Sequence, residues 1–591
     1  MYADERRQIS HYQVACSIVC LLCVVGPITV YAVTPDAGEG SVVSPAFLRG
    51  VPINDSISRI IFDAFHTSAP AHEAASVPKP FTPSDPAIYP DEFRTVNGSG
   101  NAPGDLGMAG TVDLRNVTVG YGDGMGTPAG ADRLGAREIS NIVCAQADSI
   151  PNSVNVSSFV WNWGNIVDHD MVLTQAAGPG QTFNIPVPLC DPVFDPGCKG
   201  NKILDFQRSS FTIVDNIREQ INANTSFLDA SFVYGSDITR ARTLRSFDGL
   251  GHLATSDGNL MPFNLTGLPN QPGNGNPADF FLGGDVRANE NLALCTIQTL
   301  FVREHNFWAD TLHAGDPTLS DNDLYLRARA IVNAEEQLIT YRDFIPILLG
   351  PNALTAYGGY NSAVDPRVSI AFSTAAFRVG HTFLPPVISR LNKQLVSVGD
   401  VDLSQALFAP QLISRSGIEP YLRGLAYQIP QEVDGYIINE VRNFQIGGVR
   451  TVGGFDLAAL NIQRGRDHGL PSYNQVRIDY GLTPKVSFAD ITSNAEVQAL
   501  LAEAYTSPDD MDLWVGGLCE DHYNGGLVGE TFFTILKEQF ERTRDGDRFW
   551  YESYLDPTTL ATVQAQTLAI IIKRNAAIGA ELQDDVFHVP Q

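Results

Sequence analysis

An imidazole between two carboxylates, Asp168-His169-Asp170, sits near the end of residues 161–174, WNWGNIVDHDMVLT. Successive residues of a helix project roughly 100° apart, so Asp168 and Asp170 would point to nearly opposite sides with His169 between them. One segment then serves two sites, His169 and Asp168 facing one and Asp170 the other. The bland alternative is a polar helix end in solvent. Against it stand Phe159, Val160, Trp161, Trp163, Ile166, Val167, Met171 and Leu173, whose apolar surface calls for burial. Charges inside a protein need partners or metals, so the triplet reads as a site whose partners the rest of the chain must supply.

Four further segments concentrate polar residues in apolar context. In TSFLDAS an extended loop would present the oxygens of Thr225, Asp229 and Ser231 on one side, with the Phe227 carbonyl between them. Together with Asp170 they make the all-oxygen shell that calcium takes. A hydroxyl-lined helix cap is the alternative. In DVRANEN, Arg287 and Glu290 are three apart and share a face of the predicted helix, where an ordinary surface ion pair is the competing reading. His381 in AFRVGHT is either a ligand or a satisfied core histidine. Asn461 and Arg464 lie in LNIQRGRDHG, whose arginines would otherwise pair with local acids.

The elements that must position these groups are mainly helical. Apolar residues at three- and four-residue spacings predict helices at 137–147, 155–174, 287–313, 322–348, 403–413, 495–504, 529–544 and 558–575. Strand-like alternation is short and scattered, and residues 249–284 are turn-rich. The expected fold is one large, mainly α domain over 91–578, with little β-structure, followed by a C-terminal tail at 579–591. Residues 34–90, rich in Pro, Ser, Ala and Gly, read as a linker or pro-region.

Residues 14–33 are apolar behind Arg6 and Arg7. Residues 1–33 therefore read as a signal peptide or a signal anchor, with the body of the chain outside the cell. Cys190 and Cys198 bracket a loop with two prolines and a glycine, the pattern of a local disulfide in an oxidising compartment. Cys144, Cys295 and Cys519 leave at least one thiol unpaired. Triplets at Asn54, Asn97, Asn116, Asn155, Asn224 and Asn264 are compatible with glycosylation. A net charge of −27 argues against a nucleic-acid partner, which would need basic surface to meet phosphates.

With WGNIVDHD, TSFLDASFVYGS, DVRANE, AFRVGHT, LNIQRGRDHG, LWVGGL and RDGDRFWYE in that order, the chain resembles the animal-type haem peroxidases of the peroxidase–cyclooxygenase superfamily. The resemblance implies a helical fold around a buried haem b, a bound calcium, hydrogen peroxide as oxidant and a ferryl porphyrin-radical intermediate. It makes His381 the proximal iron ligand and Asn461 the partner of that imidazole. His169 becomes the distal histidine and Arg287 the distal arginine. Asp168 and Glu290 match carboxylates that esterify haem methyls, and Arg378 and Arg464 match propionate partners. Asp170, Thr225, Phe227, Asp229 and Ser231 match the calcium ligands. Asn291 replaces the methionine that links to haem in some members, so iodide, bromide, thiocyanate or phenols are expected as donors ahead of chloride. Asn165 replaces a glutamine near the distal water. Two rival readings are a fatty-acid dioxygenase, disfavoured because Arg378 stands where a radical-carrying tyrosine would, and an adhesion protein of the same fold.

Overall fold

The computed structural model describes residues 91–271, 275–445 and 454–590. The N-terminal segments 1–33 and 34–90 lie outside the described residues. Eight helices frame the site: α1 Ala136–Val143, α2 Phe159–Met171, α3 Leu292–Gly315, α4 Asp321–Ile339, α5 Ile345–Leu349, α6 Leu457–Asp467, α7 Glu530–Asp545 and α8 Leu568–Asn575. Strands among the described residues form four separate antiparallel pairs, the longest joining Phe211–Val214 to Ile217–Gln220. The expectation of a mainly α fold holds.

α2 runs through the hydrophobic core of the described residues. Its apolar residues are distributed around the whole circumference, and Phe159, Val160, Trp163, Ile166, Val167 and Met171 are all fully buried, the pattern of a helix surrounded by protein. Gly164 leaves room for a neighbour, since a Cβ there would stand 3.3 Å from the Phe344 ring. Phe344 belongs to a π-helical turn, Thr340–Phe344, between α4 and α5. The Trp163 indole donates to the Thr340 hydroxyl at 3.1 Å, which ties that turn to α2. Arg137 on α1 is fully buried and donates to both Asp191 (2.8 Å) and Asp456 (2.6 Å). Asp456 also accepts the Ala459 amide and caps α6. α3, α4 and α8 meet where Glu304 pairs with Arg574 and the Trp308 indole donates to Glu335.

Several sequence expectations need correction. The helix expected from 287 begins only at Leu292: Asn291 is extended and its side chain accepts the Leu294 amide as the cap. Arg287 and Glu290 therefore sit in a turn, closed by the Glu290 amide on the Arg287 carbonyl at 2.8 Å, and do not share a helical face. Residues 403–413 break into Leu403–Ala406 and Gln411–Ser416, with Phe408 in the left-handed region between them. Residues 558–575 break where Thr567 caps α8. The predicted helix at 495–504 matches Ala495–Ala504. α6 and the 3₁₀ turn Ala376–His381 went unpredicted, although both carry site residues. Residues 579–590, read as a tail, are anchored: Leu582, Val586 and Phe587 are buried, and the Ser157 amide donates to the Phe587 carbonyl at 2.7 Å. Cys190 and Cys198 are bonded, while Cys144, Cys295 and Cys519 are buried free thiols. Asn224 and Asn264 are buried, which removes two of the glycosylation triplets from the surface.

Candidate active site

α2, the 285–291 turn, the 3₁₀ turn and α6 surround one void of about 1510 Å³, counting the part open to solvent. His169, Arg287 and His381 all line it, together with Asp168, Glu290, Asn165, Asn461, Arg378 and Arg464. Three segments far apart in sequence thus converge on one cavity. Apolar side chains, among them Phe344, Leu403, Leu407, Val441, Leu457 and Leu460, complete the wall.

On one side of the void His169 is 2% exposed. Its Nε2 lies 3.2 Å from the Asn165 amide nitrogen and 3.4 Å from a Glu290 oxygen. Asn165 in turn accepts from the Asn291 amide at 3.3 Å, so the helix cap and the imidazole are linked. The other ring nitrogen, Nδ1, is buried without a hydrogen-bond partner, and Asp285 stands 3.8 Å away. Asp285 grips Arg287 three times: by its backbone amide (2.7 Å), by Nε (2.8 Å) and by Nη2 (2.8 Å). Arg287 also donates to the Val172 carbonyl at 2.7 Å and reaches Asp168 at 3.4 Å. Burial works against both charges of the Asp285–Arg287 pair, yet their mutual attraction holds Asp285 well below the usual carboxylate range and raises Arg287. For Asp168, burial outweighs Arg287 and His169 and pushes the carboxyl up. Glu290 goes the other way: burial would raise it, but His169 and Arg287 hold it down.

Across the void His381 ends the 3₁₀ turn. Burial, reinforced by the Arg378 charge, pushes its imidazole down to about 4. Its Nδ1 meets the Asn461 amide nitrogen at 2.7 Å, while the Asn461 oxygen accepts from Arg378 at 3.2 Å. Arg464 is already satisfied by Asp467 (3.0 Å), the Ser209 hydroxyl (2.8 Å) and the Gln207 carbonyl (2.9 Å). Arg378 differs, because no carboxylate of the described residues lies within ion-pair distance of it. Burial and the neighbouring Arg464 push it down to about 10.

The animal haem peroxidase family model matches residues 93–587. The chain belongs to that family. The peroxidase is 36% identical over 468 residues to peroxinectin A of Dictyostelium discoideum, covering 76% of this chain and 87% of the relative. Among solved structures it is similar to peroxidase A of the same organism, at a TM-score of 0.78 and 34% identity, covering 84% of this chain and 99% of that one. A fatty-acid alpha-dioxygenase of Oryza sativa shares the fold, at a TM-score of 0.71 and 20% identity over 90% of this chain and 91% of that one. Membership makes the enzyme a haem-dependent oxidoreductase that uses hydrogen peroxide and small electron donors.

The wall of the void suits such a cofactor. A half-buried guanidinium with no carboxylate partner, Arg378, faces the void and suits an anion such as a propionate. No hydrogen bond from the described residues reaches His381 Nε2. A neutral imidazole that binds iron through Nε2 carries its proton on Nδ1, and a partner there fixes its orientation. As placed, the Asn461 nitrogen faces Nδ1, so that tautomer requires the amide to turn its oxygen toward the ring.

On the opposite face of α2, Asp170 accepts backbone amides of Asp229 (2.8 Å), Ala230 (3.2 Å) and Ser231. The Ser231 hydroxyl donates to the Asp170 carbonyl at 2.9 Å. Thr225 Oγ1 and both Asp229 carboxylate oxygens are buried without partners, and Phe227 is fully buried beside them in sequence. Burial and the Asp170 charge push Asp229 up to about 7. Glu336 on α4 also faces this cluster: one of its oxygens accepts the Ala230 amide at 2.8 Å, and the other has no partner. Orphaned hydroxyl and carboxylate oxygens of this kind fit a hard cation. The donor set is mixed; among the described residues no three or more His, Cys, Asp or Glu side chains form a metal group.

Three contributors escaped the sequence reading. Asp285 stood inside the quoted DVRANEN run, two residues before Arg287, where a carboxylate can reach back to the arginine amide. Asn224, which donates to the His169 carbonyl at 2.6 Å and to Asp285 at 3.2 Å, looked like a glycosylation triplet. Glu336 lies in the last turn of α4 with no local signal.

Proposed function

We propose that this peroxidase is secreted or membrane-anchored with its catalytic domain outside the cell, and that it oxidises small donors such as iodide, bromide, thiocyanate or phenols. One observation supports the reading above the others: His169, Arg287 and His381 line the same void. In this reading His381 holds the haem iron and Asn461 orients its ring. Arg378, and less directly Arg464, receive the propionates. Asp168 and Glu290 face the void and are the candidates for ester bonds to the porphyrin. Haem, when bound, supplies the iron that accepts oxygen from peroxide and stores the oxidising equivalents.

The protein's own groups handle the proton and the charge. His169 takes the peroxide proton on Nε2 and returns it to the departing oxygen, which requires a neutral ring before binding. Arg287, buried and locked by Asp285, offers a fixed guanidinium to the negative charge that builds as the O–O bond breaks. Asn165 and Asn291 set the polar contacts beside Nε2, where a small donor or water would sit. Asp170, Thr225, the Phe227 carbonyl, Asp229 and Ser231 would hold calcium and keep α2 in register. No helix of the described residues is long and apolar enough to cross a membrane; the anchor in this reading is the N-terminal apolar run.

The test is steady-state oxidation of guaiacol, iodide and linoleate by the purified protein, with visible spectra before and after peroxide. Turnover of guaiacol and iodide is expected; turnover of linoleate alone would replace this reading with a dioxygenase. Haem that resists acid–acetone extraction after peroxide treatment is expected if Asp168 and Glu290 form esters, and complete extraction would refute them.

A further inference from the structure

An unbroken line of aromatic contacts leaves the void and reaches the surface. Phe377 lines the void, and its ring lies 5.6 Å from Phe540 on α7. Phe540 lies 5.9 Å from Tyr341, Tyr341 lies 4.6 Å from Trp550, and Trp550 lies 5.9 Å from Tyr357. Tyr341 lies in the same π-helical turn as Phe344, which lines the void. Trp550 is 2% exposed, whereas Tyr357 is only half-buried and its hydroxyl shares a hydrogen bond with Ser553 at 3.0 Å.

The hydrogen bonds along this line suit electron transfer unequally. The Tyr341 hydroxyl donates to the Phe540 carbonyl at 2.6 Å, a group that cannot take a proton, and burial pushes this phenol well above its ordinary value. Oxidation there would strand a proton. Trp550 is different: its indole N–H donates to the exposed Glu552 carboxylate at 3.2 Å, a base that can take the proton and give it back.

We propose that Trp550 and Tyr357 form a second oxidation site, serving phenolic groups carried on molecules too large to enter the void. The proposal rests on the peroxidase reading above. Reducing one peroxide to two waters takes up two electrons and two protons. In each of two turns Trp550 gives an electron toward the void and its indole proton to Glu552. Tyr357 then returns an electron to Trp550, which regains the proton from Glu552, while the Tyr357 hydroxyl proton leaves past Ser553 to solvent. A surface phenol restores Tyr357 by donating a hydrogen atom. The sum is one peroxide and two phenols giving two waters and two phenoxyl radicals.

The experiment uses the haem-loaded enzyme. With peroxide and a nitroso spin trap but no donor, peptide mapping is expected to place adducts on Trp550 or Tyr357. Tyr357→Phe, which removes only a half-buried hydroxyl, should lose the Tyr357 adduct and slow oxidation of tyramine-conjugated dextran by about tenfold or more. Trp550→Phe should slow the dextran conjugate to the same degree and abolish the Tyr357 adduct although Tyr357 is still present. Guaiacol, which fits the void, should turn over at the wild-type rate in both variants and so reports separately on the first site. Unchanged dextran rates in Tyr357→Phe, or adducts confined to other residues, would overturn the proposal.

Discussion

The two faces of α2 handle buried charge in opposite ways. On the void-facing side of α2 the charges are matched: Arg287 is held by Asp285 and touches Asp168, and His169 lies between Asn165 and Glu290; the unpaired Arg378 belongs to the opposite wall. Across the helix, Asp229 and Glu336 keep carboxylate oxygens with no partner, and Thr225 keeps a hydroxyl with none. A matched set can hold a neutral, proton-donating ligand without drawing in ions. An unmatched set of carboxylates in a dry pocket is stable only with protons or a cation on it. Adjacent residues, His169 and Asp170, thus belong to chemically different sites because the helix turns them apart.

Breaking the void side should have the largest effects. His381→Ala is expected to abolish stable haem incorporation, read as loss of the visible haem spectrum in the purified protein. His169→Ala should keep haem but slow the peroxide reaction by about 10²–10⁴-fold, measured by stopped-flow; normal turnover would remove His169 from the distal role. Asp285→Asn keeps the size of the side chain but loosens Arg287, and the same measurement should fall by about 10–100-fold, in line with ~1.5–3 kcal/mol for a hydrogen bond to a charged group.

The other face should respond to cation removal. Chelation is expected to cost about 3–5 kcal/mol of stability, the range for leaving a buried charge unpaired, read as a drop in Tm. In chelator, Asp229→Asn should be more stable than the wild type, because it removes the charge that the cation neutralises. A lower Tm for the variant would argue against a cation there.

The smallest effect sharpens the comparison with a buried carboxyl outside both sites. Asp113 has one oxygen bonded to the Ser373 hydroxyl at 3.0 Å and one with no partner. Burial pushes it up to about 7, against the pull of Ser373 and Arg115. A carboxyl raised by folding leaves stability intact below its unfolded pKa and costs it as pH rises through the folded value. Asp113→Asn should therefore raise Tm at pH 8 relative to the wild type, and the gain should vanish near pH 4.

Much of the site was legible because its residues stand in short runs of fixed spacing. WGNIVDHD placed His169, Asp168 and Asp170 on one helix with opposed faces, and the structure places them so. Helix ends were less legible. The start of α3 was missed because Asp285 captures the Arg287 amide and guanidinium, a local alternative to helix that apolar periodicity does not register. The breaks within 403–413 and 558–575 escaped for the same reason: capping and turn geometry interrupt a periodic pattern without changing it. α6 was overlooked because polar Asn461, Gln463, Arg464, Arg466 and Asp467 are all buried there, so the apolar stripe that marks a helix is absent.

By itself the sequence determined the helical character of the chain, the residue types gathered for proton and cation chemistry, and the family to which they belong, because each is written in local order. Only the tertiary structure decided that His169, Arg287 and His381 share one void, that Asp285, Asn224 and Glu336 join the two sites, and that Arg378 lacks the counter-charge Arg464 has. Most of those are relations between segments far apart in the sequence. They depend on which side chains the packed core leaves facing each other, and no local spacing encodes that.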